Sequence, residues 1–323
     1  MSFKRISKLL KHYSSTNQLK GHKKNVHYLA WNLSDKLASG SGDLTARIWA
    51  PDSSRYVCNL VLEGHENSVD QLCWSPIELD LLATASGDKT VRIWDTRTGK
   101  SNCVIPTTGE NINITWSPDG KSIAVGNKSD VISFINVEMQ KITKNTRFPF
   151  EVNEISWDKS GQYFFITTGR GTVEIFRWPS LEKVMVLQAH TSNCFCIDFD
   201  PTQQYFAVGS ADSLVSLWDL NELICLRTIP RLKWPVRAVS FSYDGKLIAS
   251  GSEDKFIDIS WVENGEFVTS IPLEGGMNSI AWHPNKYILA YAGESYEQGG
   301  VIQLYGIFDQ YKNKHSNSRS EKK

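Results

Sequence analysis

The stretch Thr84–Asp95, TASGDKTVRIWD, runs a small-residue segment into a Gly-Asp turn and then into an alternating segment that ends in Trp-Asp. Gly64 and His65 stand upstream of it. His65, Asp88 and Thr84 have the chemistry of a catalytic relay, and equally of a hydrogen-bond network that ties strands together. How often the set recurs along the chain decides between the two.

It recurs with decay. An aromatic residue closes a short alternating run at Trp31, Trp74, Trp116, Trp157, Phe199, Phe241 and Trp282, at intervals of 41 to 43 residues. That is the period of a four-stranded propeller blade. Each unit then repeats one grammar: a turn (SPDG at Ser117, SYDG at Ser242, DPTQ at Asp200), a small-residue strand, a second turn and an alternating strand. The period-2 pattern of Val91, Ile93 and of Val215, Leu217 marks strands with one face against a neighbouring sheet.

In this geometry a His, a turn Asp, a hydroxyl four residues before that Asp and a Trp indole fall into one network. Two units carry the complete set: His22, Ser39, Asp43, Trp49 and His65, Thr84, Asp88, Trp94. A third has His190, Asp212 and Trp218 but Val208 at the hydroxyl position, so a shorter network is expected there. A catalytic constellation occurs once in one cleft, whereas this one is copied. The reading is therefore structural, with no catalytic residue, and no P-loop or HExxH pattern argues otherwise.

The expected fold is all-β: a seven-bladed β-propeller over residues 13–311, preceded by a basic amphipathic segment, 1–12, and followed by a basic disordered tail, 312–323. The segment Tyr13 to Lys20 is left over before the first Gly-His and the last strand, VIQLYGI, lacks an outer partner. Pairing the two closes the ring. Phe3, Ile6, Leu9, Leu10 and Tyr13 fall near helical spacing among Lys4, Arg5, Lys8 and Lys11. This short helix either docks on the propeller or serves a partner, RNA or a membrane surface.

Composition agrees with a large core: 323 residues, 41% hydrophobic, with 11 Trp. No run reaches the roughly 18 apolar residues of a membrane span, and the first residues lack a secretory signal, so an intracellular protein is expected. The six cysteines show no metal-ligand spacing, so no metal or other cofactor is expected. Net charge is zero overall, but residues 35–311 carry 23 Lys/Arg against 34 Asp/Glu, a net of −11, between basic ends. Such a body repels phosphate, which leaves any direct RNA contact weak and confined to the termini.

The Trp-Asp endings and their spacing resemble the WD-repeat family, whose members fold as β-propellers. Units one, two and five match best; Ile135, Phe176, Ser260 and Tyr305 replace the Trp elsewhere. Beyond the repeat letters, SVDQLCW (68–74), GENINITWSPDG (109–120), FEVNEISW (150–157), GSADSLVSLWD (209–219), WPVR (234–237) and SEDKFIDI (252–259) are similar to the third-subunit family of the THO complex. That resemblance implies a nuclear, non-enzymatic scaffold in the assembly that couples transcription to mRNA packaging and export. Its implied partners are other THO subunits and export adaptors, with mRNA mostly indirect and no membrane. The alternative is a WD-repeat reader of chromatin or histone tails, which would need an acidic channel mouth.

Propellers meet partners where the inner strands begin. The residue four before each aromatic is placed there: His27, Asp70, Ile112, Asn153, Phe195, Arg237 and Asn278. Phe195 and Ile112 either join Arg237 in an interface or plug the channel as core. Trp234, in a loop that replaces a Gly-His, is the candidate anchor; its alternative is packing on its own blade.

Overall fold

In the computed structural model, which describes residues 3–12, 17–53, 55–293 and 299–306, the repeats become seven four-stranded antiparallel sheets. Their inner strands are Val26–Trp31, Val69–Trp74, Asn111–Trp116, Val152–Trp157, Cys194–Phe199, Ala238–Phe241 and Met277–Trp282, one for each of blades one to seven. Neighbouring inner strands pack side by side around a central channel. The chain outside the described residues includes Tyr13, the 294–298 part of the last insertion and the tail 312–323.

Local chemistry explains the repeat. The second strand of each blade is covered on both faces: Leu37–Ser41 and Ser122–Asn127, built of small or compact residues, are buried almost throughout, and in blades four and five the same strand buries Phe164, Phe165 and Phe206. The turns after the inner strands of blades one, three, four and six use a left-handed residue, Asp35 at φ +67° and Gly120, Gly161 and Gly245 near +70°. The core lies between blades rather than within them. Ile48 and Leu62 of blade one, for example, pack with Leu72, Leu82 and Trp94 of blade two.

The ring closes as its leftover strands require. Asn17–Lys20 pairs antiparallel with Val301–Gly306, in the register Asn17↔Leu304 to Lys20↔Val301, so blade seven takes its outer strand from the start of the chain. A second clasp spans the seam between blades one and seven. The Asp35 carboxylate accepts hydrogen bonds from Tyr56 Oη at 2.5 Å, from His283 Nε2 at 2.5 Å and from Lys286 Nζ. Trp31 lies between the rings of Tyr56 and His283, with centroids at 5.3 and 4.6 Å. Burial works to raise the Asp35 pKa, but the donors outweigh it and hold the carboxyl below its usual value.

The helix Phe3–His12 docks. Ile6 and Leu10 are fully buried with Leu247, Trp261, Val268, Tyr287 and Tyr305, in the wedge between blades six and seven. The Tyr305 hydroxyl donates to the Leu10 carbonyl. Tyr305 stands where other units have their Trp, so the helix backbone gives that hydroxyl its partner. Arg5 and Lys8 face outward. Because Ile6 and Leu10 belong to the core, Ile6→Ala is expected to cost about 2–4 kcal/mol, read as a lower midpoint in urea unfolding with an unchanged m-value.

Candidate interaction surface at the channel mouth

The polar sets of blades one and two form as their spacing implies. His22 Nδ1 donates to Asp43 at 2.9 Å, Ser39 Oγ lies 2.7 Å from His22 Nε2, and Trp49 Nε1 donates to Ser39 at 2.9 Å. In blade two the matching distances are 2.7 Å to Asp88, 2.7 Å to Thr84 and 2.9 Å from Trp94. Burial lowers the pKa of His22 and of His65 despite the adjacent carboxylates. A neutral imidazole can accept at Nε2 while donating at Nδ1, so every group in the chain is satisfied. Each Asp also fixes the turn: Asp88 accepts from Glu66 N and from Thr90 N and Oγ1. For Asp43, burial works to raise the pKa but is outweighed by donors led by His22 and Thr45.

Blade five corrects the expected shorter network. Ser216, directly opposite Val208 on the next strand, supplies the missing hydroxyl: it lies 2.8 Å from His190 Nε2 and accepts from Trp218 Nε1 at 2.8 Å. His190 Nδ1 lies 3.0 Å from Asp212. Reading the hydroxyl only at the fourth position before the Asp missed it, although Ser216 two before the Trp was there to be read. Blade six uses another solution. Arg231 Nε donates to buried Asp258 at 2.7 Å, and its Nη2 reaches Ser260, which occupies the Trp position, and Gly265 O at 3.0 Å. Nothing in the repeat pattern pointed to Arg231.

The mouth residues share a backbone cause. His27, Asp70, Ile112, Asn153, Phe195 and Asn278 each sit where the register between the first two strands of the blade shifts by one residue. A bulge turns one side chain out of the pleat, here toward the channel opening. Arg237 enters differently, just before Ala238–Phe241, with its N–H bonded to Gly251 O at 2.9 Å.

His27, Asn153, Phe195, Arg237 and Asn278 line one cavity of about 970 Å³, with Glu253, Lys255 and Glu274 on its rim. Asp70 and Ile112 stand outside that lining. Asp70 is half-buried and accepts from Ser68 Oγ at 2.8 Å, and Ile112 is half-buried. Asn153 and Asn278 turn their amides to neighbouring backbone, Cys194 O at 2.9 Å and Val26 O at 3.1 Å, so they stitch blades together. Phe195 is half-buried beneath the Arg237 guanidinium, which sits 4.4 Å from its ring centroid, a cation–π contact.

Trp234 is 56% exposed. Its loop is nonetheless held, because Lys233 N and Trp234 N both donate to Asp254 Oδ2, at 2.8 and 3.1 Å, and Ser252 Oγ braces the same oxygen at 2.8 Å. Asp254 thus does for blade six what Asp43 and Asp88 do for blades one and two. A large ring presented on an ordered loop loses little entropy on contact.

Burial raises the pKa of two acids on the inner strands, as it raises that of Asp70 at the mouth. Burial raises Glu154 to about 7 against the opposing hydrogen bonds from Ile155 N and Gln71, and raises Asp198 to about 7 against those from Phe241 N and Phe199 N. Among the described residues no group of three or more His, Cys, Asp or Glu is placed to hold a metal ion, and all six cysteines are free.

Seven blades, copied His-Asp networks and a polar mouth with an ordered aromatic rim define a WD-repeat propeller, a class built to dock other proteins. Residues 22–292 match the family model of the THOC3 beta-propeller domain. The chain is 51% identical over 300 residues to THO complex subunit 3 of Arabidopsis thaliana, covering 90% of this chain and 95% of that protein. It is 35% identical over 320 residues to WD repeat-containing protein AAC3 of Dictyostelium discoideum, covering 90% and 67%. The chain belongs to the THO complex subunit 3 family.

The networks make a stability prediction. Asp88→Ala and Ser216→Ala each leave buried donors or acceptors unpaired and are expected to cost about 1–3 kcal/mol, measured by thermal and denaturant unfolding.

Glu154 makes a prediction in pH. Its folded pKa near 7 lies above the unfolded value, so the folded state holds the extra proton in between, and stability falls as pH rises through that window. Glu154→Gln is expected to melt with the native chain near pH 4 and progressively above it as pH approaches 8.

Proposed function

We propose that this chain is a non-enzymatic scaffold subunit of a THO-type nuclear complex that couples transcription to mRNA packaging and export. One observation carries the reading: similarity to a THO complex subunit 3 covers 90% of this chain and 95% of that protein. The copied polar sets support a structural rather than catalytic use of their His and Asp. Other THO subunits and export adaptors dock at the channel mouth, with Trp234 and the Phe195–Arg237 pair as anchors. RNA is reached mainly through these partners, and direct contact is weak and confined to the basic ends, of which Arg5 and Lys8 face outward from the docked helix.

The test is capture of the remaining THO subunits, purified as an assembly, by the chain and by its Trp234→Ala/Arg237→Ala variant. Anchors of this kind cost about 2 kcal/mol or more when truncated, so affinity is expected to fall at least tenfold while melting temperature and circular dichroism stay unchanged. Undiminished capture moves the docking face elsewhere on the ring.

A further inference from the structure

We infer that the channel mouth takes an acidic segment of its docking partner, laid over blades six, seven and one; this rests on the mouth being the docking face. The ground is the uneven charge around the opening. Lys23 and Lys24 precede the inner strand of blade one, Lys233 and Arg237 precede that of blade six, and Lys255 follows the second strand of blade six. All five are exposed, and among the described residues the acids on the same arc are exposed Glu253 and Glu274, with Asp43 half-buried and Asp254 buried beneath the turns. Arg237 meets Glu253 at 3.4 Å, an exposed pair of the weak kind. Among the described residues the ammonium groups of Lys23, Lys24, Lys233 and Lys255 have no carboxylate partner.

The opposite arc has the reverse balance. Blades two to four present Glu66, Glu110 and Glu151, with half-buried Asp70 and Asp130 between them. Of the cations there, Lys128 is taken up by Glu110 at 2.5 Å, which leaves Lys89 and Arg170. The whole body is acidic, so a basic arc on it is a local feature against the average.

Such a division sets a field across the opening. A carboxylate-bearing segment is drawn to the basic arc and repelled from the other, which fixes its position and direction. Arg237 is suited to receive it: with one face on Phe195 and Nη2 only in the weak exposed pair with Glu253, the rest of its N–H fork can meet a carboxylate edge-on. Trp234, three residues away on the same tethered loop, supplies apolar surface beside that contact.

Association of the immobilised chain with the purified assembly of the remaining THO subunits, at low and at physiological salt, tests this. Lys24→Glu/Lys255→Glu is expected to slow association about tenfold at low salt, and less at the higher salt, while Glu274→Lys speeds it. The opposite order assigns a basic segment and overturns the inference, as do charge variants that all associate at the native rate. Trp234→Ala separates the two levels. Loss of binding with Trp234→Ala, together with indifference to charge, overturns only the acidic segment. Native binding by Trp234→Ala and by every charge variant removes the docking face itself. Unchanged melting temperatures of the variants show that binding, not folding, is read.

Discussion

The pairing of Asn17–Lys20 with Val301–Gly306 is the constraint on which the rest of the molecule depends. Each blade has an apolar face on either side, and a face is buried only if a neighbour covers it. An open row of seven would leave two such faces and their edges in water, whereas a ring leaves none. Taking blade seven's outer strand from the other end of the chain makes opening the ring equivalent to breaking a sheet. The Asp35 clasp and the docked helix act near the same closure, from its lower turns and from its outer wedge.

The closed ring has few ways to dispose of polar groups, and blades one, two, five and six show how their central sets are paired. Around Trp49, Trp94 and Trp218 a hydroxyl accepts the indole N–H and lies within hydrogen-bond distance of an imidazole nitrogen. Where Ser260 stands in for the Trp, a guanidinium fills the space and neutralises Asp258. These solutions share an outcome, paired polar groups beneath rigid turns at the top of those blades. Rigidity there is what allows the loop of Trp234 to be presented in a fixed place.

Much of this was legible in the sequence because it rests on periodicity. The intervals between Trp31 and Trp282 gave blade number, and alternation gave strand faces. The leftover at each end gave the mode of closure, and the complete sets around His22 and His65 gave the networks. What escaped depends on contacts across strands or between distant segments. Ser216 substitutes for a position on a different strand, and a linear offset from Asp212 does not find it. Arg231 lies in the loop where a Gly-His is missing, so the pattern that finds networks passes over it. The seat of Ile6 and Leu10 is made by blades six and seven together, some 240 or more residues away. The mouth positions were placed by counting back from each aromatic, but the bulge that turns them outward is a property of register.

Those bulges have a consequence for how such a protein can change. A bulged residue belongs to neither face of its strand, so its side chain is not matched to a neighbour in the blade's alternating packing. Positions 27, 70, 112, 153, 195 and 278 can therefore be rewritten with little effect on the sheets that carry them, except where an amide such as that of Asn153 has been enlisted as a stitch. The ring behaves as a chassis and the bulges as a keyboard. A new partner can be accommodated by altering side chains at the opening, one blade at a time, without renegotiating the fold beneath.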